Sequence, residues 1–396
     1  MRRLTWLIAI CFAMCAPSYG QWEVETSNTT ADLRGIHSIG NGVAWASGTN
    51  GTVLRTEDSG YVWQLCAVPP GAEMLDFRGV QAFDANTAIV MSSGKGDLSR
   101  LYKTTDGCHS WKLVFANPYA PDGFFDAILF LDPQNGLLFG DPSPANPRST
   151  PVEYPGDFRL RVTADGGNTW GPVSAPDYPA KPGNGLHAVG DESAFAASNS
   201  SIASREGWFW FATSASRVAF RSLYNGSKPS EFLFRPAYCA GAVDPASNLC
   251  GQPWVDFENS SVPVLHISPS SGIFSISFAS ATHGVAVGGD YAKPEVAKET
   301  AAYTLDGGKK WYASRNLPHG YRSSVAFDAA TKTWITVGPN GTDISTDDGR
   351  NWRPLRPDPA RHVAPDADRN WNAISLPFVV GPKGRIGKLN AAALRR

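Results

Sequence analysis

An eight-residue pattern, Ser/Thr-x-Asp-x-Gly-x-x-Trp, recurs along the chain and constrains its architecture more than any other feature. It reads TEDSGYVW from Thr56 to Trp63, TADGGNTW from Thr163 to Trp170, TLDGGKKW from Thr304 to Trp311 and STDDGRNW from Ser345 to Trp352. A fifth copy, TTDGCHSW from Thr104 to Trp111, carries Cys108 where the glycine belongs, and a worn sixth lies at Ser222-Leu223-Tyr224-Asn225-Gly226. Repetition at roughly 40 to 80 residues predicts an array of similar units, none able to bury its apolar face alone.

The residue types describe a turn. Asp58, Asp106, Asp165, Asp306 and Asp347 can each accept amide hydrogen bonds within their own loop, the Ser/Thr hydroxyl bonds locally, and the glycine takes positive φ cheaply. Trp63, Trp111, Trp170, Trp311 and Trp352 then open the next strand and pack back over the hairpin. The motif therefore reads as a structural staple, not a catalytic one. It resembles the Asp-box of the bacterial-neuraminidase repeat, found in sialidase-like and related β-propellers.

The start of the chain, Met1-Arg2-Arg3 followed by the apolar run Leu4 to Ala13 and small residues to Gly20, predicts a signal peptide over residues 1–20 and an exported protein, periplasmic or extracellular. The run is too short for an ordinary membrane span, and neither Cys11 nor Cys15 follows a convincing lipoprotein pattern. Removing residues 1–20 takes away two arginines and no acids, moving the net charge from -1 to -3. That balance argues against nucleic acid as a partner. Four cysteines remain, and an even number in an oxidising compartment predicts two disulfides. Cys239 with Cys250 would close a small loop, and Cys66 with Cys108 would join the first two units. There is no C-x-x-C pair, and the seven histidines show no ligand spacing, so no metal and no cofactor is expected.

Period-2 alternation punctuated by glycine predicts strands throughout. The first strands of the units begin near Leu33, Phe77, Phe125, Glu192, Phe274, Ser323 and Trp371, and Gln21 to Thr26 is a strand with nothing before it. The simplest assembly is an all-β, seven-bladed propeller of four-stranded antiparallel blades, a single domain over residues 21–396 whose last blade is closed by the N-terminal strand. Six or eight blades stay open, because the fourth unit is degenerate and is followed by a disulfide-containing excursion at about residues 223–272.

In such a ring the starts of the innermost strands surround the channel mouth. That places Arg34, Arg78, Asp126, Glu192, Phe274, Ser323 with Arg322 beside it, and Asn372 in one annulus, and loops after the second strands rise on the same face. Three of these are expanded, Ser92 to Arg100, Gly140 to Asp157 and Gly288 to Ala301, and offer Lys95, Asp97, Asp141, Asp290, Tyr291 and Lys293. Long loops on one rim of a rigid scaffold are usual binding equipment. The alternative is that the ring charges pair with one another and hydrate the channel.

The blade grammar, as in Val337-Gly338-Pro339-Asn340-Gly341 leading into Ser345 to Trp352, resembles the photosystem II assembly factor family known as Ycf48 or HCF136. The resemblance implies a seven-bladed, non-enzymatic propeller that docks a membrane-protein partner through an arginine-rich patch; Arg34, Arg78 and Arg322 are the positions here that could form it, and the chain is expected to be a monomer. The alternative is a sialidase-like glycoside hydrolase acting on an oligosaccharide. There the three arginines would clamp a carboxylate, Tyr291 or Tyr321 would be the nucleophile, and Glu192, Asp126 or Asp141 the acids.

Overall fold

The computed structural model describes residues 20–119, 121–142, 156–172, 187–222, 258–357, 364 and 366–395. The signal segment before Gly20, Cys239, Cys250 and most of the worn sixth box lie outside them. Among the described residues there are seven four-stranded antiparallel sheets. Blade 1 comprises Leu33–Gly40, Val43–Gly48, Val53–Thr56 and Gln64–Leu65. Blade 2 comprises Phe77–Ala82, Ala88–Ser92, Arg100–Thr104 and Lys112–Ala116. Blade 3 is Phe125–Phe130, Gly136–Gly140, Arg159–Thr163 and Gly171–Pro172, and blade 4 is Ile202–Arg205, Trp208–Ala212, Arg217–Ser222 and Glu258–Ser261. Blade 5 is Ser271–Phe278, Gly284–Asp290, Ala301–Thr304 and Tyr312–Ala313; blade 6 is Ser324–Asp328, Thr333–Gly338, Gly341–Ser345 and Arg353–Pro354. Blade 7 joins Ala373–Ser375, Phe378–Val380 and Ile386–Leu389 to Trp22–Glu25.

Apolar residues point alternately to the two faces of each blade, so each blade must be covered on both sides. Seven buried clusters result, one between each pair of neighbours: Trp45 and Phe77 between blades 1 and 2, Phe139 and Phe211 between 3 and 4, Trp334 with Val287 between 5 and 6, and Leu33 with Phe378 across the closure between 7 and 1. Each innermost strand still presents unpaired backbone donors to the channel. In several blades a side chain from a neighbouring blade takes one, and in blade 5 Ile276 N donates to Ser200 O at 2.8 Å. Val325 N donates to Ser275 Oγ at 3.0 Å, Ser38 N to Ser375 Oγ at 2.9 Å, Ala82 N to His37 Nδ1 at 2.9 Å and Ile128 N to Asn199 Oδ1 at 2.8 Å. Burial pushes His37 down to about 4, which keeps Nδ1 free to accept.

The five boxes share one geometry. In the first, Asp58 Oδ1 accepts from Val62 N at 3.0 Å and from the Thr56 hydroxyl at 2.8 Å, while Thr56 Oγ1 accepts from Gly60 N at 3.0 Å. The pairs around Asp106, Asp165, Asp306 and Asp347 repeat it. Cys108 takes φ 66° in place of the glycine. It does so while bonded to Cys66, and the disulfide ties the end of blade 1 to the box of blade 2, the pairing expected between the first two units.

The N-terminal strand closes the last blade as expected, with Trp22 opposite Leu389 and Glu25 opposite Ile386. The Trp63 indole N–H of blade 1 donates to Glu25 Oε2 at 2.6 Å, so the closing strand also grips its other neighbour. Burial pushes Glu25 up to about 7, although Trp63 and Lys388 favour its charge. The folded protein thus keeps a proton that the unfolded chain releases near 4.5, and stability falls as pH rises from there through 7. Glu25→Gln is expected to raise the melting temperature at pH 8 and leave it nearly unchanged at pH 4.5; thermal melts at the two pH values check this, and a lower melting temperature at pH 8 would contradict it.

Blade 4 departs from the sequence expectation. It is a regular four-stranded blade, but its inner strand begins at Ile202 and not at Glu192. The residues between have another task. Phe195 to Ser200 crosses the channel: Ala196 O accepts from Arg78 Nη1 of blade 2 at 3.1 Å, Asn199 bonds Ile128 of blade 3, and the Ser198 hydroxyl donates to Ser323 O of blade 6 at 3.0 Å. Asn199 adopts φ 58° to make its contacts. The far end of the expected excursion is also regular, with Glu258–Ser261 as the outer strand of blade 4.

Candidate functional site

Inner and third strands run in the same direction, so the boxes lie on the face opposite the inner-strand starts. At those starts four blades carry a bulge, between Leu33 and Gly35, Phe77 and Gly79, Phe125 and Ala127, and Ile273 and Ser275. A bulge leaves one residue out of the ladder and re-aims its side chain. The residues released are Arg34, Arg78, Asp126 and Phe274. Ser323 and Asn372 hold the corresponding places in blades 6 and 7, and in blade 4 the segment before Ile202 brings Ala196 to the mouth.

The mouth they surround encloses about 470 Å³, lined by Arg34, Arg78, Phe195, Ala196, Ala197, Phe274, Tyr291, Tyr321, Ser323, Pro339, Trp371 and Asn372. The crossing segment of blade 4 contributes Phe195 to Ala197, so the opening is a pocket with a partial floor and not a bare tunnel. Its walls differ. On blades 1 and 2, Asp76 sits between the arginines, 3.1 Å from Arg34 Nε and 2.8 Å from Arg78 Nε. One carboxylate against two guanidiniums leaves an excess positive charge, and both arginines stay 30% exposed. Across the ring, Phe274 stacks on Phe195 with ring centroids 3.8 Å apart and meets Tyr321 edge-on at 4.8 Å and Tyr291 at 5.9 Å. A cationic wall faces an aromatic one.

Several candidates prove to be elsewhere. Arg322 is fully buried, with Nε 2.9 Å from Asp343 Oδ2 and a further contact to His319. It precedes the outward position by one residue, and the strand's alternation turns it into the blade wall. Glu192 is buried in an ion pair with Arg217, Nε to Oε1 2.9 Å, and accepts from Val189 N at 2.9 Å; it lines a separate depression of about 620 Å³ with Asp141, His187 and Asp191. Asp290 is buried too, accepting from the Ser270 hydroxyl and Ala292 N, and shapes its loop. Lys95, Asp97, Tyr291 and Lys293 are exposed, Asp97 pairing with Arg100 at 3.2 Å. Asn372 lines the mouth while donating to Leu33 O at 2.8 Å. The expanded loop after Gly140 is described only at Asp141 and Pro142 and again from Gly156.

The hydrolase arrangement is not assembled among the described residues. The two tyrosines and Glu192 line different cavities, Tyr321 is buried and its phenol is driven far above the usual range by that burial, and only two of the three arginines reach the mouth. Asp76, in contrast, escaped the sequence reading. Its signal was present as the repeated Asp-apolar-Arg-Gly of Asp32 to Gly35 and Asp76 to Gly79.

No family model and no curated protein matches the sequence. Solved structures do. A structure of Ycf48 bound to a D1 peptide aligns with a TM-score of 0.53, covering 94% of this chain and 97% of that one at 16% identity. In fold, the chain resembles the Ycf48 propellers. Ycf48 from Cyanidioschyzon merolae aligns with a TM-score of 0.55 over 94% of this chain and 99% of its own, at 18% identity. The WD40 β-propeller domain of Doa1 aligns at 0.50, 95%, 99% and 10%. At such identities the Ycf48 likeness speaks for architecture, and the site has to be judged on its own side chains.

Proposed function

We propose that this is an exported, non-enzymatic binding or assembly factor whose channel mouth docks an extended segment of a protein partner, a membrane protein included. The observation that carries this is the two-sided mouth: Arg34 and Arg78 supply guanidinium edges for an acidic group, and Phe274, Tyr291 and Tyr321 supply an apolar wall for a neighbouring side chain. Two chemically unlike walls about one pocket suit a ligand with two unlike parts. A solved Ycf48 bound to a D1 peptide supports a peptide as the kind of ligand such a ring accepts. The Cys66–Cys108 disulfide suits an oxidising compartment.

Selection of a random peptide library on the immobilised protein tests the assignment. Peptides pairing an acidic group with an aromatic or aliphatic side chain are expected to be enriched. Their affinity should fall at least tenfold, about 1.4 kcal/mol, in an Arg34→Glu/Arg78→Glu variant. Absence of enrichment, or enrichment that survives the double substitution, would remove the mouth as the docking site.

A further inference from the structure

Asp126 is the one bulged residue of the four that does not line the mouth. It is fully buried, and neither of its carboxyl oxygens receives a donor from the described residues. What it meets is the carboxyl of Asp141, which itself accepts from Ala194 N at 2.7 Å. Arg78 from the inner strand of blade 2 acts on it through its charge, and that guanidinium also pairs with Asp76, which in turn pairs with Arg34. Beyond Asp141 the depression presents His187, held by Asp157 at 2.9 Å, together with Asp191 and Glu192, the latter neutralised by Arg217. Two buried carboxyls in contact cannot both ionise readily, so they hold a proton between them.

Building on the docking role assigned above, we propose that the mouth is a proton-coupled anion site: the Asp126–Asp141 pair takes up a proton as an apolar anion binds against Arg34, Arg78 and Phe274. The coupling is electrostatic and reciprocal. While the pair carries negative charge it competes for Arg78. Once protonated, it leaves Arg78 to the ligand, and a bound anion in turn raises the pair's hold on the proton. Burial, and for Asp126 the neighbouring Asp141, push both groups up, Asp141 to about 6 and Asp126 well above the carboxylate range. The uptake therefore falls in mildly acidic solution, and binding tightens as pH drops.

Benzenesulfonate is a suitable probe, because its charge is constant over this range and its ring matches the aromatic wall. Calorimetric titration of the full protein is expected to give about fivefold or tighter binding at pH 5 than at pH 8, with net proton uptake read from buffers of different ionisation enthalpy. Both the pH dependence and the uptake should vanish in Asp126→Asn and in Asp141→Asn, which keep the shape of the side chain. Infrared spectra of the free protein in a Glu25→Gln background, which removes the other raised carboxyl, add a second readout: a protonated carboxyl band at pH 7, lost on adding Asp126→Asn. Binding that is equal at the two pH values, or an absent carboxyl band, overturns the coupling alone. No binding of benzenesulfonate at either pH overturns the docking role of the mouth as well.

Discussion

Replacing Asp343 by alanine is expected to cost about 3–5 kcal/mol of stability, because it strands the guanidinium of Arg322 in a site with no exposure. Asp343 lies on the third strand of blade 6, and its carboxylate holds Arg322 Nε at 2.9 Å, His319 Nδ1 at 2.8 Å and His319 N at 3.2 Å. Burial alone would raise its carboxyl, but His319 and Arg322 outweigh that and keep it below the usual value of 3.8. The contribution is therefore present above that value and lost as pH falls through the depressed one. His319 works in the opposite sense: Asp343 raises it, so its share is complete below 6.5 and fades as pH rises through the raised value. Urea unfolding at pH 7 reads the cost directly. A double variant, Arg322→Met with Asp343→Leu, should recover most of the loss, since a buried pair is often no better than an apolar one of similar volume. A cost below 1 kcal/mol for Asp343→Ala would show that the guanidinium finds water, and the burial of Arg322 would have to be abandoned.

Arg322 also shows where the amino-acid sequence stops being informative. The blade count, the closing strand and the Cys66–Cys108 bridge are legible because each depends on local spacing: a box every few strands, glycine at a positive φ, cysteines in neighbouring units. The mouth is legible in outline for the same reason, since Arg34, Arg78 and Phe274 occupy equivalent bulges. Side-chain direction at the rim is not, because one residue of offset separates Ser323, which lines the mouth, from Arg322, which turns into the wall. Blade 4 hides its site for a different reason. Its Phe195 to Ser200 stretch makes contacts with blades 2, 3, 5 and 6, and partners more than 70 residues away leave no periodic trace in the local pattern. Asp126 and Asp141 are visible as acids, but their partnership depends on a bulge in one strand and the first residue beyond another.

Trp22→Ala is the second substitution expected to have a large effect, about 3–5 kcal/mol. The closing strand has only four residues, Trp22–Glu25, and its backbone pairing is a small part of what holds it. Trp22 is 2% exposed, packs on Trp371 with centroids 6.0 Å apart, and donates from Nε1 to Thr342 Oγ1 of blade 6 at 2.8 Å. The preceding Gln21 adds side-chain bonds to Leu355 O at 3.2 Å and Asp368 Oδ2 at 2.9 Å. One residue thus anchors the N-terminal strand into the core between blades 6 and 7, and truncating it leaves a cavity and removes the indole donor from the Thr342 hydroxyl, which keeps only its bond to Asp368 Oδ1 at 2.6 Å. Glu23→Ala provides the contrast on the same strand, because Glu23 faces solvent opposite Lys388 and should change stability by no more than about 0.5 kcal/mol. Urea midpoints for the two variants, with the slope of the transition compared to confirm that the same surface is exposed, decide the matter. Similar small costs for both would mean that the ring is held shut by the blade-to-blade core without its N-terminal strand, whereas a loss confined to Trp22→Ala would make Trp22 the anchor of the last blade.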